Sequence, residues 1–119
     1  MMDRKFDLED RLVEFAAQMM DVVDELPDTR AGRHVAGQLV RSGTSPAPNY
    51  GEAQAAESRA DFIHKMKISL KELRETMVWL KIIRRKEMIS SAALASRIDE
   101  CNQLISIFVK SIETAQSNR

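Results

Sequence analysis

Apolar residues recur at steps of three and four in four stretches of this chain, and that period constrains the fold more than any other feature. In the first stretch, Leu12, Phe15 and Met19 share one side of a helix. The four stretches predict helices over about residues 8–26, from 28 or 29 onward, 59–86 and 92–115. Because short connections join long amphipathic helices, we expect one domain over residues 1–119: an all-α, antiparallel, up-down-up-down four-helix bundle.

Polar residues and prolines mark the expected helix ends. Asp7 and Ser58 are predicted N-caps, because their side-chain oxygens can accept from free N–H groups of the next turn. Pro27 ends the first helix, and Ser90 or Ser91 caps the fourth. These residues separate the periodic stretches where a bundle needs its turns.

The second helix contains Pro46 and Pro48, each of which removes a backbone N–H donor. Ser45 can cap a renewed helix, so that both prolines lie in its first turn, where N–H groups are unpaired in any case. We therefore expect a kinked or interrupted second helix, with the break near residues 43–45.

A polar stripe crosses the same region. Its members follow at steps of four, four and three, which puts them on one side of a helix: Arg41, Ser45, Asn49 and Glu52. We expect them to form an internal hydrogen-bonded network with a structural role, with Glu72 or Glu75 as the partner of Arg41. Replacing Arg41 by alanine should then lower the melting temperature.

The third and fourth helices have apolar faces broader than a single seam. The residues that widen them are Ile68, Trp79, Ile82, Leu104, Ile107 and Val109. Deeper burial within the bundle is one interpretation. We favour a subunit interface, because an exposed Trp flanked by isoleucines is unusual on a monomer. The pattern thus predicts a homo-oligomer.

Charge is segregated along the chain. Residues 1–28 carry nine acids and three bases, whereas residues 59–87 carry nine bases and four acids. Five of these bases fall on one line of the third helix: Lys67, Lys71, Arg74, Lys81 and Arg85. The acidic first helix can pair with this line inside the subunit or across an interface. Alternatively, the line binds an anionic partner such as RNA, or it is a solvated face.

Two spacings are similar to those of chemical sites. Arg59 and His64 have the Arg-x4-His spacing of the helical HEPN-superfamily ribonucleases, in which Arg can hold a phosphate and His can move a proton. Ala60 stands where that superfamily usually has a polar residue. Asp61 and His64 supply half of a di-iron pattern whose second half is missing. We expect no enzyme, no metal and no cofactor, and keep the ribonuclease as the alternative.

Composition limits the partners. Eighteen Lys and Arg balance eighteen Asp and Glu, so indiscriminate nucleic-acid binding is not expected. Cys101 is the one cysteine, which rules out an internal disulfide and favours a reducing compartment. The N-terminal residues show no apolar signal region, and no stretch has the apolar length of a membrane span. We expect a cytoplasmic protein with no membrane partner and no small-molecule substrate.

These residues together resemble the bacterial four-helix-bundle proteins named after the 23S ribosomal RNA intervening sequences. The similarity covers nearly the whole chain, and its central Ser-Asn-Glu pattern is the most specific part. The matching segments are Leu26-Pro27, Gln38-Leu39-x-Arg41-Ser42, Ser45-x-x-x-Asn49-x-x-Glu52-Ala53, Ser58-x-x-x-Phe62 and the 70–80 stretch with Glu72, Glu75 and Trp79-Leu80. Pro46 and Pro48 depart from the smoother second helix usual in the family.

The resemblance implies up-down-up-down topology and a ring-like homo-oligomer of five subunits, with no enzymatic activity. It also implies an association with RNA or an RNA-processing protein. A related group, the accessory variability determinants of diversity-generating retroelements, binds a reverse transcriptase and nucleic acid but is more basic than this chain. The leading hypothesis is an oligomeric scaffold or RNA-associated accessory protein, and a protein-binding adaptor is a further alternative.

Overall fold

The periodic stretches become helices in the computed structural model, which describes residues 7–118. This part of the chain contains no strand, and its helices are α1 (Leu8–Glu25), α2 (Arg30–Thr44), α3 (Pro46–Gln54), α4 (Arg59–Arg85) and α5 (Ser91–Ser117). The predicted second helix corresponds to α2 and α3, and the predicted third and fourth helices correspond to α4 and α5. The all-α prediction is confirmed.

Side-chain caps begin two of the helices as expected. Asp7 Oδ1 accepts from the backbone N–H of Asp10, and Ser58 Oγ accepts from that of Asp61, both at 3.0 Å. Ser90 occupies the N-cap position of α5, but its side chain makes no capping hydrogen bond. The polar residues that precede α1 and α4 therefore start these helices by the mechanism inferred from the sequence.

The helical segments α2 and α3 join at Ser45. This residue has helical dihedrals (φ −66°, ψ −36°), and its N–H donates to the Arg41 carbonyl at 3.2 Å. The predicted capping role of the Ser45 side chain is wrong, because an N-cap needs extended dihedrals that Ser45 does not adopt. Its Oγ instead accepts from Asn49 Nδ2 at 2.9 Å. Pro46 begins α3, where its missing N–H matters least.

One hydrophobic core lies between the helices, and all five contribute to it. The largest fully buried side chains include Phe15, Leu39, Leu73, Leu80 and Phe108. Tyr50 packs against the core, and its ring meets that of Phe108 edge-to-face at 6.0 Å between centroids. Burial of these side chains supplies the main driving force for folding.

The packing places α1 and α4 at opposite corners of the bundle. Each of them packs along α2, α3 and α5, but within residues 7–118 their backbones do not lie beside each other, and no ion pair joins a carboxylate of α1 to a cation of α4. The acidic first helix therefore does not pair with the basic α4 line inside the subunit, and that alternative is wrong for the described residues. In the same part of the chain, no helix is long and apolar enough to cross a membrane.

Candidate interaction surfaces

The side of α4 that faces α2 carries an ion-pair cluster. Arg41 on α2 donates to Glu72 Oε1 at 3.0 Å and also pairs with Glu75. Trp79 Nε1 donates to the same Glu75 carboxylate at 3.1 Å, and its ring meets His34 edge-to-face. Both carboxylates suggested from the sequence thus lie beside Arg41.

This cluster lies at the edge of the bundle. The Arg41 side chain is 51% exposed, whereas the Glu72 side chain is only 11% exposed. The hydrogen bond from Arg41, together with that from Trp79, lowers the pKa of Glu75. The bond to Glu75 likewise raises the pKa of Arg41. The Arg41–Glu75 pair therefore stays charged at neutral pH, and its arginine is accessible to water.

The remaining members of the polar stripe make local contacts. Asn49 Nδ2 donates to the Ser45 carbonyl at 3.0 Å as well as to its hydroxyl. Glu52 accepts from Lys65 on α4 at 2.8 Å, and this bond raises the pKa of Lys65. Among the described residues, the side-chain hydrogen bonds of the stripe fall into three separate groups, of which the Arg41 cluster is the largest. The prediction of a single internal network is therefore wrong, because the exposed Arg41 and Glu52 side chains each pair with a different part of α4.

Hydroxyl groups that the sequence analysis missed are buried between α4 and the α2–α3 pair. Thr76 Oγ1 lies 2.9 Å from Ser42 Oγ and 2.8 Å from the Glu72 carbonyl oxygen. Ser69 Oγ donates to the Pro46 carbonyl at 3.3 Å. Ser42, Ser69 and Thr76 are fully buried. The seven-residue spacing of Ser69 and Thr76 was the available signal, since it places both on one side of α4.

An adjoining side of α4, turned away from the core, is basic and faces solvent. All five predicted cations are exposed: Lys67, Lys71, Arg74, Lys81 and Arg85. No ion pair among residues 7–118 includes any of them. Val78, which is 55% exposed, fills the seven-residue step in this line. We call these six residues the basic face of α4.

A shallow groove of about 390 Å³ lies at the C-terminal half of this face. Val78 and Ile82 form its apolar floor, and Lys81, Arg85 and Lys86 surround them. Ile82 is 37% exposed. The groove therefore combines apolar surface with unpaired positive charge, which suits an acidic partner with its own apolar centre.

The predicted interface residues lie in different surroundings. Leu104 is fully buried in the core, so its place in the predicted interface is wrong: it has no surface left for a second subunit. Trp79, Ile107, Ile68 and Val109 are half-buried, and the first two pack against the core. For these four residues and for Ile82, the role in a subunit interface stays a prediction.

An exposed acidic face on α1 was also missed. Val13 and Met20 are each 52% exposed, with exposed Ala17 between them. Exposed carboxylates surround this apolar centre: Glu9, Asp10, Glu14, Asp21, Asp24 and Glu25. The signal was the three-and-four spacing of residues 13, 17 and 20, on the other side of α1 from its core seam. We call these nine residues the acidic face of α1.

The residues considered for chemistry are spread along α4 and α5. Arg59 and His64 are both exposed, and a five-residue step turns them about 140° apart around the helix. Residues 7–118 hold no group of three or more His, Cys, Asp or Glu side chains that could bind a metal ion. Burial raises the pKa of Cys101 to about 12, and its thiol donates to the Leu73 carbonyl at 3.4 Å. Cys101 is thus a core residue whose thiol is protonated at neutral pH.

Comparisons with known proteins found one matching family and a similar solved structure. The family model of the 23S rRNA-intervening sequence protein matches residues 4–110. A crystal structure of a protein of unknown function from the S23 ribosomal protein family of Bacteroides thetaiotaomicron is similar at a TM-score of 0.83 and 33% identity. The match covers 89% of this chain and 98% of that one. No functionally curated protein matches. The resemblance inferred from the sequence is confirmed: this chain belongs to the 23S rRNA-intervening sequence protein family.

Proposed function

We propose that this protein is a non-enzymatic, homo-oligomeric scaffold that associates with RNA through phosphate contacts on the basic face of α4. The observation that carries the proposal is the row of five exposed cations on that face, none of which has an ion-pair partner among residues 7–118. Unpaired cations on an exposed helix attract phosphates and release counterions on binding. Membership of a family named for 23S rRNA agrees with an RNA partner.

The geometry of this face favours contacts to the RNA backbone. At 1.5 Å per residue, the 27 residues of α4 extend for about 40 Å, so its cations can follow several phosphates. No aromatic residue lies in the line, so bases have no stacking platform there. One subunit offers few charges, and an oligomer that repeats the face adds avidity. Binding should therefore depend strongly on salt and weakly on sequence.

The test is a salt titration of binding to a labelled oligouridine RNA. The wild-type protein is compared with a Lys71→Glu, Arg74→Glu variant. We expect the variant to bind more weakly at low salt, and the slope of log affinity against log salt to fall by about 0.7 for each lost phosphate contact.

A matched control separates the face from total charge. The Arg30→Glu, Lys110→Glu variant makes the same change in net charge at exposed positions on α2 and α5. It should keep most of the affinity. If both variants bind like the wild-type protein, or if the wild-type protein binds no RNA at low salt, the RNA proposal is wrong.

The bundle and its assembly are part of the same proposal. We propose an antiparallel up-down-up-down arrangement, with a kink where α2 meets α3 and a ring of five subunits. The two prolines support the kink, because Pro46 and Pro48 have no N–H to donate to the carbonyls of Ser42 and Thr44. Short connections between the helices support the antiparallel arrangement.

A protein-binding adaptor is the second candidate function. The groove floored by Val78 and Ile82 favours it, because exposed apolar surface inside a charged rim is typical of protein interfaces. A protein partner of this kind would bind whether or not RNA is present. The ribonuclease that uses Arg59 and His64 stays a prediction from the sequence.

A further inference from the structure

The acidic face of α1 and the basic face of α4 have the same design with opposite charge. On α1, Val13 and Met20 form an exposed apolar centre among carboxylates. On α4, Val78 and Ile82 form one among Lys81, Arg85 and Lys86. Two surfaces with apolar centres and rims of opposite charge are complementary both in burial and in electrostatics.

One subunit cannot bring these faces together. The backbones of α1 and α4 do not lie beside each other within the described residues, so the two helices occupy opposite corners of the bundle. Arg11 is the base on α1 nearest to the acidic face. It already forms an ion pair with Glu100 of α5, with 2.7 Å between Nε and Oε2. Pairing between these two faces therefore requires a second molecule.

We propose that the occupant of each face is a second copy of this chain. The segment of α1 centred on Val13 and Met20 docks on the C-terminal half of the basic face of α4, over Val78 and Ile82. Lys81 and Arg85 then pair with carboxylates such as Glu14 and Asp21. This contact rests on the proposed homo-oligomer and names the surfaces that form it. In the assembly Lys81 and Arg85 are engaged by the neighbouring subunit, so the phosphate contacts of the proposed function fall to Lys67, Lys71 and Arg74.

The contact joins two different surfaces, so it is heterologous and repeats from subunit to subunit. Each subunit in the assembly gives its α1 face to one neighbour and its α4 face to the other. Such a chain of contacts closes into a ring when the rotation between subunits permits it. A direct α4-to-α4 contact would instead oppose like charges.

The test uses two charge-reversed variants, measured by sedimentation after nuclease treatment. Lys81→Glu, Arg85→Glu alters only the α4 face, and Glu14→Lys, Asp21→Lys alters only the α1 face. We expect the wild-type protein to sediment as an oligomer and each variant as a 13.5 kDa monomer. An equimolar mixture should form assemblies that contain both variants, because the intact faces pair with each other and the two reversed faces are complementary as well. A chain with all four substitutions should assemble again.

The possible failures are distinguishable. Recovery of mass in the mixture also shows that the monomeric variants are folded. If the wild-type protein is an oligomer and both variants keep its mass, the contact is wrong but the proposed homo-oligomer stands. If the variants are monomers that do not combine, the pairing of these two faces is wrong. If the wild-type protein is a monomer, the contact and the proposed assembly are both wrong.

Discussion

The two polar sides of α4 differ in whether their charges have partners. Toward α2, Glu72 and Glu75 are held by Arg41, and the hydroxyl of Thr76 meets that of Ser42. Toward solvent, the basic face has no ion pair among residues 7–118. Polar groups in both regions recur at helical spacing, so the spacing alone does not distinguish them.

This comparison shows how a role can be assigned to a row of charged residues on a helix. A buried polar group is costly unless it is bonded, so a satisfied group belongs to the folding energetics of the subunit. Exposed cations without partners contribute little to stability and remain available to ligands. The inward side of α4 should therefore control unfolding, and the outward side should control binding and assembly.

The largest effect is expected from the buried hydroxyl pair. Thr76→Val keeps the shape of the side chain but leaves the Ser42 hydroxyl without this partner, which should cost about 1–3 kcal/mol of unfolding free energy. Urea denaturation measures the change. Adding Ser42→Ala to Thr76→Val removes the orphaned hydroxyl, so the double variant should lose less than the sum of the single variants. Additive losses would contradict the hydrogen bond.

A smaller, pH-dependent effect is expected at Arg41. Because the bond from Arg41 lowers the folded pKa of Glu75 below its usual value of 4.5, the pair stabilises the fold above about pH 4.5. That stability is lost as the pH falls through the lowered pKa. Arg41→Ala should therefore lower the melting temperature at pH 7, and the difference from wild type should shrink below pH 4.5.

A control for this variant is present on the same helix. Arg30→Ala removes an exposed arginine from the start of α2 and should leave the melting curve nearly unchanged at every pH. A difference between Arg41→Ala and wild type that is constant from pH 7 to acid would show that the ion pair is not its cause.

The sequence was sufficient for the helices and for part of the inward side of α4. Apolar spacing predicted the helical stretches, and Arg41 lies beside both carboxylates suggested for it. It was not sufficient for Leu104, because an arc on a helical wheel does not reveal how much of it neighbouring helices cover. The acidic face of α1 was missed for a related reason. Val13 and Met20 lie on the other side of α1 from its core seam, and only the packing shows that no neighbouring helix covers them.

The smallest expected effect gives the most direct test of the difference between the two sides. The double variant Lys67→Gln, Arg74→Gln neutralises two cations of the basic face. Lys71 is kept, because its charge also lowers the pKa of Glu75. Urea denaturation of this variant should give an unfolding free energy within about 0.5 kcal/mol of wild type for each site, as for other surface substitutions. A loss as large as that of Thr76→Val would mean that the outward side also holds the subunit together, and would contradict the assignment of that side to partners.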